Sequence, residues 1–175
     1  MPTFHDEHYP ADASSSTRLT AFCTLGSDEL REPSQTMPTL KHLIHKAHEA
    51  IRGIMPEDLH DLMAANAVII IDVREAEELT RGSIPGAIPI PRGLMEMAAD
   101  LDFRGHHRVL SAARAKKICC VCDCPSAGRS SLAAVALKQM DFPEVCFLKG
   151  GINLWLADGY SLEPILSKVY SVMRR

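Results

Sequence analysis

The sequence has no long apolar run and no strong excess of charge of one sign. No stretch approaches the roughly 18 consecutive apolar residues of a membrane-spanning helix. With 19 basic and 22 acidic residues, the formal net charge is -3, which provides no field that would attract nucleic acid or an anionic membrane. These absences predict a protein that binds neither nucleic acid nor a membrane.

The N-terminal segment also lacks the features of a targeting signal. Its first ten residues, MPTFHDEHYP, contain acidic side chains and no apolar core, unlike a secretory signal or a typical organellar transit peptide. We therefore expect a cytoplasmic location. Thiols remain reduced in that compartment, so the six cysteines are expected to be free.

A chain of 175 residues, 46% of them hydrophobic, has the size and composition of one globular domain. The Ser-, Thr- and Pro-rich residues 1–36 predict a flexible tail. Residues 37–52 are predicted to form a helix with one apolar stripe. His42, His45 and His48 are expected to lie on its polar face and not to form a metal site. The main domain is expected at 53–165, followed by a C-terminal helical extension at 166–175.

The main domain alternates short buried runs with helical segments. The run AVIIIDV is rich in β-branched residues without polar alternation, as in a strand covered on both faces of a parallel sheet. Further strand candidates and the helix Ser130–Met140 follow in the same rhythm; the strand candidates are 67–73, 87–90, 117–122 and 145–148. The pattern predicts an α/β fold with a mostly parallel central sheet of about five strands and helices on both faces.

The chemistry is expected in the loop between the third of these strands and the next helix. Cysteines crowd this region, at positions 119, 120, 122 and 124. The small residues that follow can turn their amides inward and bind an anion or a thiolate; they are Pro125, Ser126, Ala127 and Gly128. A cysteine there, next to Arg129 at a helix N-terminus, is expected to be nucleophilic. Cys124 is favoured and Cys122 is the alternative, while a metal is not expected because a strand spreads its ligands apart.

The chain from about Gly53 to Pro164 resembles a rhodanese-homology domain, the fold of persulfide-forming sulfurtransferases. Three motifs in order carry the resemblance: IDVREAEELTRGSIPGAIPIPRG (71–93), CPSAGRSSLAA (124–134) and GGINLWLADGYSLEP (150–164). In the first, Asp72 and Arg74 stand at places that match the family and are expected to form a structural ion pair; in the third, Trp155 is in register and is expected to pack. The serine after Arg129, Ser130, is expected to cap the active-loop helix.

This resemblance implies a sulfurtransferase without a cofactor. Cys124 would take a sulfane sulfur from thiosulfate or a protein persulfide and pass it to a thiol, cyanide or an acceptor protein, while Arg129 supplies charge. The loop departs from the family pattern, since Pro125 lacks an amide donor and Gly128 comes one place late. Arg129 is its only cation and Asp123 is adjacent, so thiosulfate would be held less well than in a more basic loop.

Three other functions remain open from the residues. A phosphatase needs a Cys-x5-Arg loop, in which the cysteine lies six positions before the arginine; the residue six positions before Arg129 is Asp123, which argues against that activity. A non-catalytic binding module would retain the fold with a packed cysteine. A thiol redox sensor would pair Cys122 with Cys124.

Overall fold

The structure, a computed structural model, describes residues 37–165. The predicted tail at 1–36 and the predicted extension at 166–175 lie outside the described residues. Within the described part, the helices are α1 (Leu40–Ala50), α2 (Pro56–Ala64), α3 (Met95–Ala99), α4 (Arg108–Ser111), α5 (Gly128–Gln139) and α6 (Gly151–Ala157). None of the helices in this part is long and apolar enough to cross a bilayer.

Five parallel strands form one sheet, which confirms the predicted fold class. The strands are β1 (Arg52–Ile54), β2 (Val68–Asp72), β3 (Ile88–Pro89), β4 (Lys117–Val121) and β5 (Val145–Leu148). Their order across the sheet is β1-β5-β4-β2-β3, and every neighbouring pair is parallel. The long central strands β2 and β4 correspond to the two most strongly apolar runs of the sequence.

Helices cover both faces of this sheet, as predicted. Along β4 the side chains alternate: Ile118 and Cys120 pack in one core cluster with residues of α3, α4 and α5, whereas Cys119 and Val121 pack in a second cluster with residues of α2 and α6. The alternation follows from the two-residue period of a strand. Burial on both faces explains why β4 is apolar from Ile118 to Val121.

The edge strand β1 was not predicted. The helix predicted over 37–52 ends at Ala50, and residues 52–54 pair with β5, Gly53 lying opposite Phe147. A Cβ at Gly53 would lie 2.8 Å from Phe147 Cζ, so the glycine allows the aromatic ring to pack closely against the strand. A three-residue strand is too short to produce a recognisable hydrophobic pattern.

A buried ion pair anchors the segment that follows β2. Arg74 Nη2 donates to Asp72 Oδ2 at 2.7 Å, and both side chains are buried. The same guanidinium donates to the backbone carbonyls of Glu78 and Gly82, and Ser83 Oγ donates to Asp72 Oδ2 at 2.5 Å. These bonds hold the 3₁₀ segment Ala76–Arg81 against the sheet, which fixes the backbone position of Glu78.

Candidate active site

The candidate active loop leaves the carboxyl end of β4, the edge at which parallel α/β sheets bind their ligands. It runs from Cys122 to Ala127, the N-cap residue of α5. Ala127 N–H donates to Cys124 O at 2.8 Å and closes a tight turn. Ala127 itself has a left-handed backbone, with φ of 50° and ψ of 30°. The turn therefore places a left-handed residue three positions after Cys124, and alanine occupies this position at a cost of about 1 kcal/mol relative to glycine.

Gly128, one place later than the family pattern, has a different role. It is the first residue of α5 and is buried. A Cβ built on Gly128 would lie 2.7 Å from Cδ1 of Ile44 on α1. The glycine therefore accommodates the side chain of α1 at the start of α5, and the turn uses the alanine before it.

Cys124 is half-buried, and its sulfur contacts the only cation of the loop. Arg129 Nε donates to Cys124 Sγ at 3.3 Å. Cys124 also lies in the turn that leads into the 12-residue helix α5, whose dipole favours negative charge near its N-terminus. The guanidinium and the helix together favour an anionic ligand group, such as the terminal sulfur of a persulfide, at this loop.

Two carboxylates accept hydrogen bonds from the other two nitrogens of the Arg129 guanidinium, Nη1 and Nη2. Glu78 forms a bidentate pair with it, at 2.5 and 2.7 Å, and Asp123 Oδ1 accepts a hydrogen bond from Nη2 at 2.6 Å. The hydrogen bond from Arg129 is the main reason why the pKa of Glu78 falls to about 2, and the bond to Glu78 in turn raises the pKa of Arg129. The three side chains together carry a net charge of about -1 at neutral pH.

Glu78 was missed at the level of sequence. It lies in the acidic stretch EAEEL, and no spacing within the stretch distinguishes it from its neighbours. Its Oε2 also accepts the backbone N–H of Glu75 at 2.9 Å, so the local turn orients the carboxylate before it reaches Arg129.

Cys122, the alternative nucleophile, lies inside the core. Its side chain is fully buried, and Sγ is 3.4 Å from Ser130 Oγ. Burial raises the pKa of the Cys122 thiol, and this effect outweighs its hydrogen bond with the Ser130 side chain and those from the backbone amides of Cys124 and Ser130. Some of the inward amides predicted for Cys124 therefore donate to Cys122 instead, but burial keeps that thiol protonated.

The predicted capping role of Ser130 is wrong. Helix α5 begins at Gly128, so Ser130 lies within the first turn and Ala127 occupies the N-cap position without a side-chain hydrogen bond. The Ser130 hydroxyl instead donates to Ala127 O at 3.0 Å. Its position next to Cys122 makes it part of the packing beneath the loop.

Residues at the start of α6 hold the loop backbone through hydrogen bonds to two of its carbonyl oxygens. Ile152 N–H donates to Cys122 O at 2.8 Å, and Asn153 Nδ2 donates to Asp123 O at 2.6 Å. Gly151 has φ of 61°, and a Cβ there would lie 2.1 Å from Cys122 O. Asn153 was not singled out in the sequence, although it lies within the third motif.

The remaining predicted site residues differ in burial: Trp155 lies in the core, whereas Pro125 and Ser126 are exposed. Trp155 is buried, stacks on Tyr160 at 4.4 Å between ring centroids and donates from Nε1 to Ser161 O. Pro125 and Ser126 are exposed at the tip of the loop.

Among residues 37–165, no group of three or more His, Cys, Asp or Glu side chains is arranged to hold a metal ion.

Comparison with known proteins agrees with this architecture. The sequence model of one protein family, the rhodanese-like domain, matches residues 55–158. No curated protein matches the chain significantly in sequence. A protein of unknown function from Rhodopseudomonas palustris, described as a possible tyrosine phosphatase, superposes with a TM-score of 0.67 at 26% identity, over 76% of this chain and 100% of its own.

Two further solved structures support the same assignment. A rhodanese-related protein from Thermoplasma volcanium has a TM-score of 0.52 at 30% identity, over 65% of this chain and 99% of its own. The human single-domain sulfurtransferase has a TM-score of 0.54 at 23% identity, over 62% of this chain and 97% of its own, and this likeness supports the fold alone. The chain belongs to the family of rhodanese-like domains.

Proposed function

We propose that this protein is a sulfurtransferase that carries sulfane sulfur as a persulfide on Cys124. One observation carries the proposal: among the cysteines of residues 37–165, Cys124 alone is not buried, and it is the one whose sulfur contacts Arg129. The thiol closest to it in sequence, Cys122, is enclosed in the core. A persulfide needs both access for its donor and a cation near its terminal sulfur, and Cys124 has both.

The reaction has two displacement steps. The Cys124 thiolate attacks the outer sulfur of a donor persulfide, the donor S–S bond breaks, and the donor leaves as a thiolate while a Cys124 Sγ–S bond forms. An acceptor thiolate then attacks the terminal sulfur, and Cys124 leaves as the thiolate. Arg129 and the N-terminus of α5 stabilise the sulfur anion at each stage.

The charge around Arg129 favours a persulfide donor over thiosulfate. A doubly charged anion needs a cation with unoccupied donors, whereas both Nη atoms of Arg129 bind Glu78 or Asp123. The sulfur of a cysteine persulfide brings only one negative charge to the loop. We therefore assign a small or protein-borne persulfide as donor.

The same charges argue against phosphatase activity, which is suggested for the Rhodopseudomonas relative. A phosphate dianion would meet the occupied guanidinium. The Ala127 N–H already donates to Cys124 O and so does not offer a hydrogen bond to a phosphate oxygen. Only four residues separate Cys124 from Arg129, one fewer than in the phosphatase loop pattern.

Intact-protein mass spectrometry tests the proposal. Reduced wild type, Cys124→Ser and Cys122→Ser are incubated with cysteine persulfide and, separately, with thiosulfate. We expect wild type and Cys122→Ser to gain one sulfur atom, which cyanide removes, and Cys124→Ser to gain none. If wild type gains no sulfur, the result would support the non-catalytic binding module. If the gain is lost in Cys122→Ser and kept in Cys124→Ser, Cys122 is the nucleophile.

A disulfide between Cys122 and Cys124 after peroxide treatment, without any persulfide, would instead support the redox sensor. Hydrolysis of p-nitrophenyl phosphate is measured on the same samples. Turnover dependent on Cys124 in that assay would contradict the argument from the occupied guanidinium.

A further inference from the structure

Two cysteines that the proposed reaction does not use lie side by side in the sheet. Cys119 on β4 and Cys146 on β5 are register partners in neighbouring parallel strands. Both belong to the core cluster on the face of the sheet that α2 and α6 cover, whereas Cys120 belongs to the cluster on the opposite face. The two side chains therefore point to the same face, and a hydrogen bond joins their thiols.

The spacing of the strands allows a disulfide between these two sulfurs. Neighbouring strands lie about 4.8 Å apart, and disulfide-bonded cysteines have Cα atoms about 4.4–6.8 Å apart. Because Cys119 and Cys146 are directly opposite each other, the bond requires rotation of the side chains and no change of register. Cys120 is adjacent to Cys119 along the strand and points to the other face, so it is not placed to form the same bond.

Cys146 lines a pocket that does not reach Cys119. The pocket has a volume of about 320 Å³ and lies between α2, β1 and the first residues of β4 and β5. Cys119 is 0% exposed and is not among the lining residues, while Cys146 is 4% exposed and is one of them. A molecule that enters the pocket therefore meets Cys146 first. Because the strands are parallel, this pocket lies at the amino edge of the sheet, opposite the edge from which the active loop leaves.

Size and charge favour a small neutral ligand in this pocket. Its volume is at the lower end of the range for small-molecule sites. Its charged lining residues are two cations and two carboxylates: Arg52, Lys117, Asp58 and Asp61. Because these charges balance, the pocket provides no net field that would attract thiosulfate or another anion. A hydroperoxide is small and neutral, and it reacts with thiolates.

The hydrogen bond between the two thiols makes Cys146 the nucleophile of the pair. The bond from Cys119 is the main reason why the pKa of Cys146 is lowered, and Lys117 and Arg52 act in the same direction, against burial and Glu144. The same bond, together with burial, raises the pKa of Cys119. The thiolate is the reactive form of a cysteine. The thiol at the pocket is therefore also the more acidic of the two.

We propose that Cys119 and Cys146 form a second thiol site, which a small hydroperoxide oxidises to a disulfide. The Cys146 thiolate attacks one peroxide oxygen, the O–O bond breaks, and Cys146 becomes a sulfenic acid. The other oxygen leaves as hydroxide or alkoxide and takes up the proton that Cys146 had released. The Cys119 sulfur then attacks the Cys146 sulfur, the S–O bond breaks, and the hydroxide that leaves takes the Cys119 proton to form water. The two thiols lose two electrons, and the hydroperoxide gains them.

Peptide mapping of the oxidised full-length protein tests this site. Reduced wild type is treated with hydrogen peroxide or with tert-butyl hydroperoxide, the remaining thiols are alkylated, and the protein is digested. Trypsin separates the two cysteines into the peptides 118–129 and 139–149. We expect a cross-link between these peptides that fragmentation assigns to Cys119 and Cys146 and that dithiothreitol removes. A cross-link from Cys146 to another cysteine would overturn the proposal, as would no cross-link after the same treatment has oxidised Cys124.

Single substitutions test the order of the two steps. Cys119→Ala should leave Cys146 as a sulfenic acid that dimedone traps, and Cys146→Ala should abolish oxidation of Cys119. The matched control is Cys120→Ala, which alters an equally buried neighbour on the other face of the sheet and should keep the cross-link. Loss of the cross-link in this folded control, or dimedone labelling of Cys119 in Cys146→Ala, would contradict the assignment.

Two further measurements keep this test independent of folding and of sulfur transfer. Circular dichroism checks that each variant is folded, and the wild-type cross-link decides the question if a core variant unfolds. Cys124→Ser should form the cross-link at the wild-type rate, because the site does not use the active loop. A cross-link that requires Cys124 would refute a separate site, whereas failure of Cys124 to take up sulfur would leave the cross-link unchanged and refute the proposed function alone.

Discussion

Removing the charge of Glu78 should increase the reactivity of the loop towards thiosulfate. Glu78→Gln keeps the shape of the side chain but releases one of the two carboxylates that neutralise Arg129. A unit charge roughly 7 Å from the reacting sulfur is worth about 2 kcal/mol at an effective dielectric near 20. Both carboxylates are nearly one-third exposed, so we reduce this to about 1 kcal/mol per charge.

The effect should depend on the charge of the donor. Thiosulfate carries two charges and should react about 30-fold faster with Glu78→Gln, whereas the single negative charge of a persulfide sulfur predicts about a fivefold gain. The assay is the second-order rate of sulfur loading onto Cys124, followed by intact-protein mass. The preference for thiosulfate over cysteine persulfide should therefore rise about fivefold or more.

Two further variants separate charge from geometry. Glu77→Gln removes an exposed charge from the same 3₁₀ segment and should change the donor preference less than twofold. Asp123→Asn removes the other carboxylate on Arg129 and should shift the preference in the same direction as Glu78→Gln. If Glu78→Gln slows both donors equally, Glu78 acts by positioning Arg129 and the electrostatic reasoning is refuted.

Three stability measurements follow from the loop and its support. Gly151→Ala should lower the free energy of unfolding in urea by about 3 kcal/mol or more, because its φ is positive and its Cβ would lie 2.1 Å from the Cys122 carbonyl oxygen; Gly93→Ala, whose Cβ meets nothing within 4 Å, should cost less than about 1 kcal/mol, and equal losses would contradict the contact. Ala127→Gly should raise that free energy by about 0.5–1 kcal/mol, because glycine adopts the left-handed backbone without strain, and a lower value would show that the turn tolerates alanine without cost. The pKa of Glu78 falls from 4.5 to about 2 on folding, so its ion pair stabilises the protein fully above pH 4.5 and this stabilisation is lost as the pH falls towards 2; an acid titration of unfolding should show a loss of about 1–2 kcal/mol over that window that Glu78→Gln lacks, and identical slopes would exclude the ion pair as its source.

Local sequence patterns determined the fold class and the position of the active loop. The β-branched run before Asp72 and the apolar run before Cys122 identify central strands because burial on both faces excludes polar residues from them. The order strand, small-residue turn, helix places Cys122 and Cys124 at the carboxyl edge of the sheet. These features depend on residues close together in the chain, so they are visible without coordinates.

Tertiary structure decided the charge and accessibility of the site. Glu78 and Arg129 are 51 residues apart, and their pairing depends on how the ion pair after β2 seats the 3₁₀ segment. The difference in burial between Cys122 and Cys124 depends on how deeply the end of β4 is covered by helices, which two cysteines one residue apart in the sequence do not reveal. Packing of Ile44 against Gly128 explains why the glycine lies one place late and why Ala127 takes the left-handed position. Each of these outcomes results from contacts between distant segments, and side-chain type alone does not specify which distant segments meet.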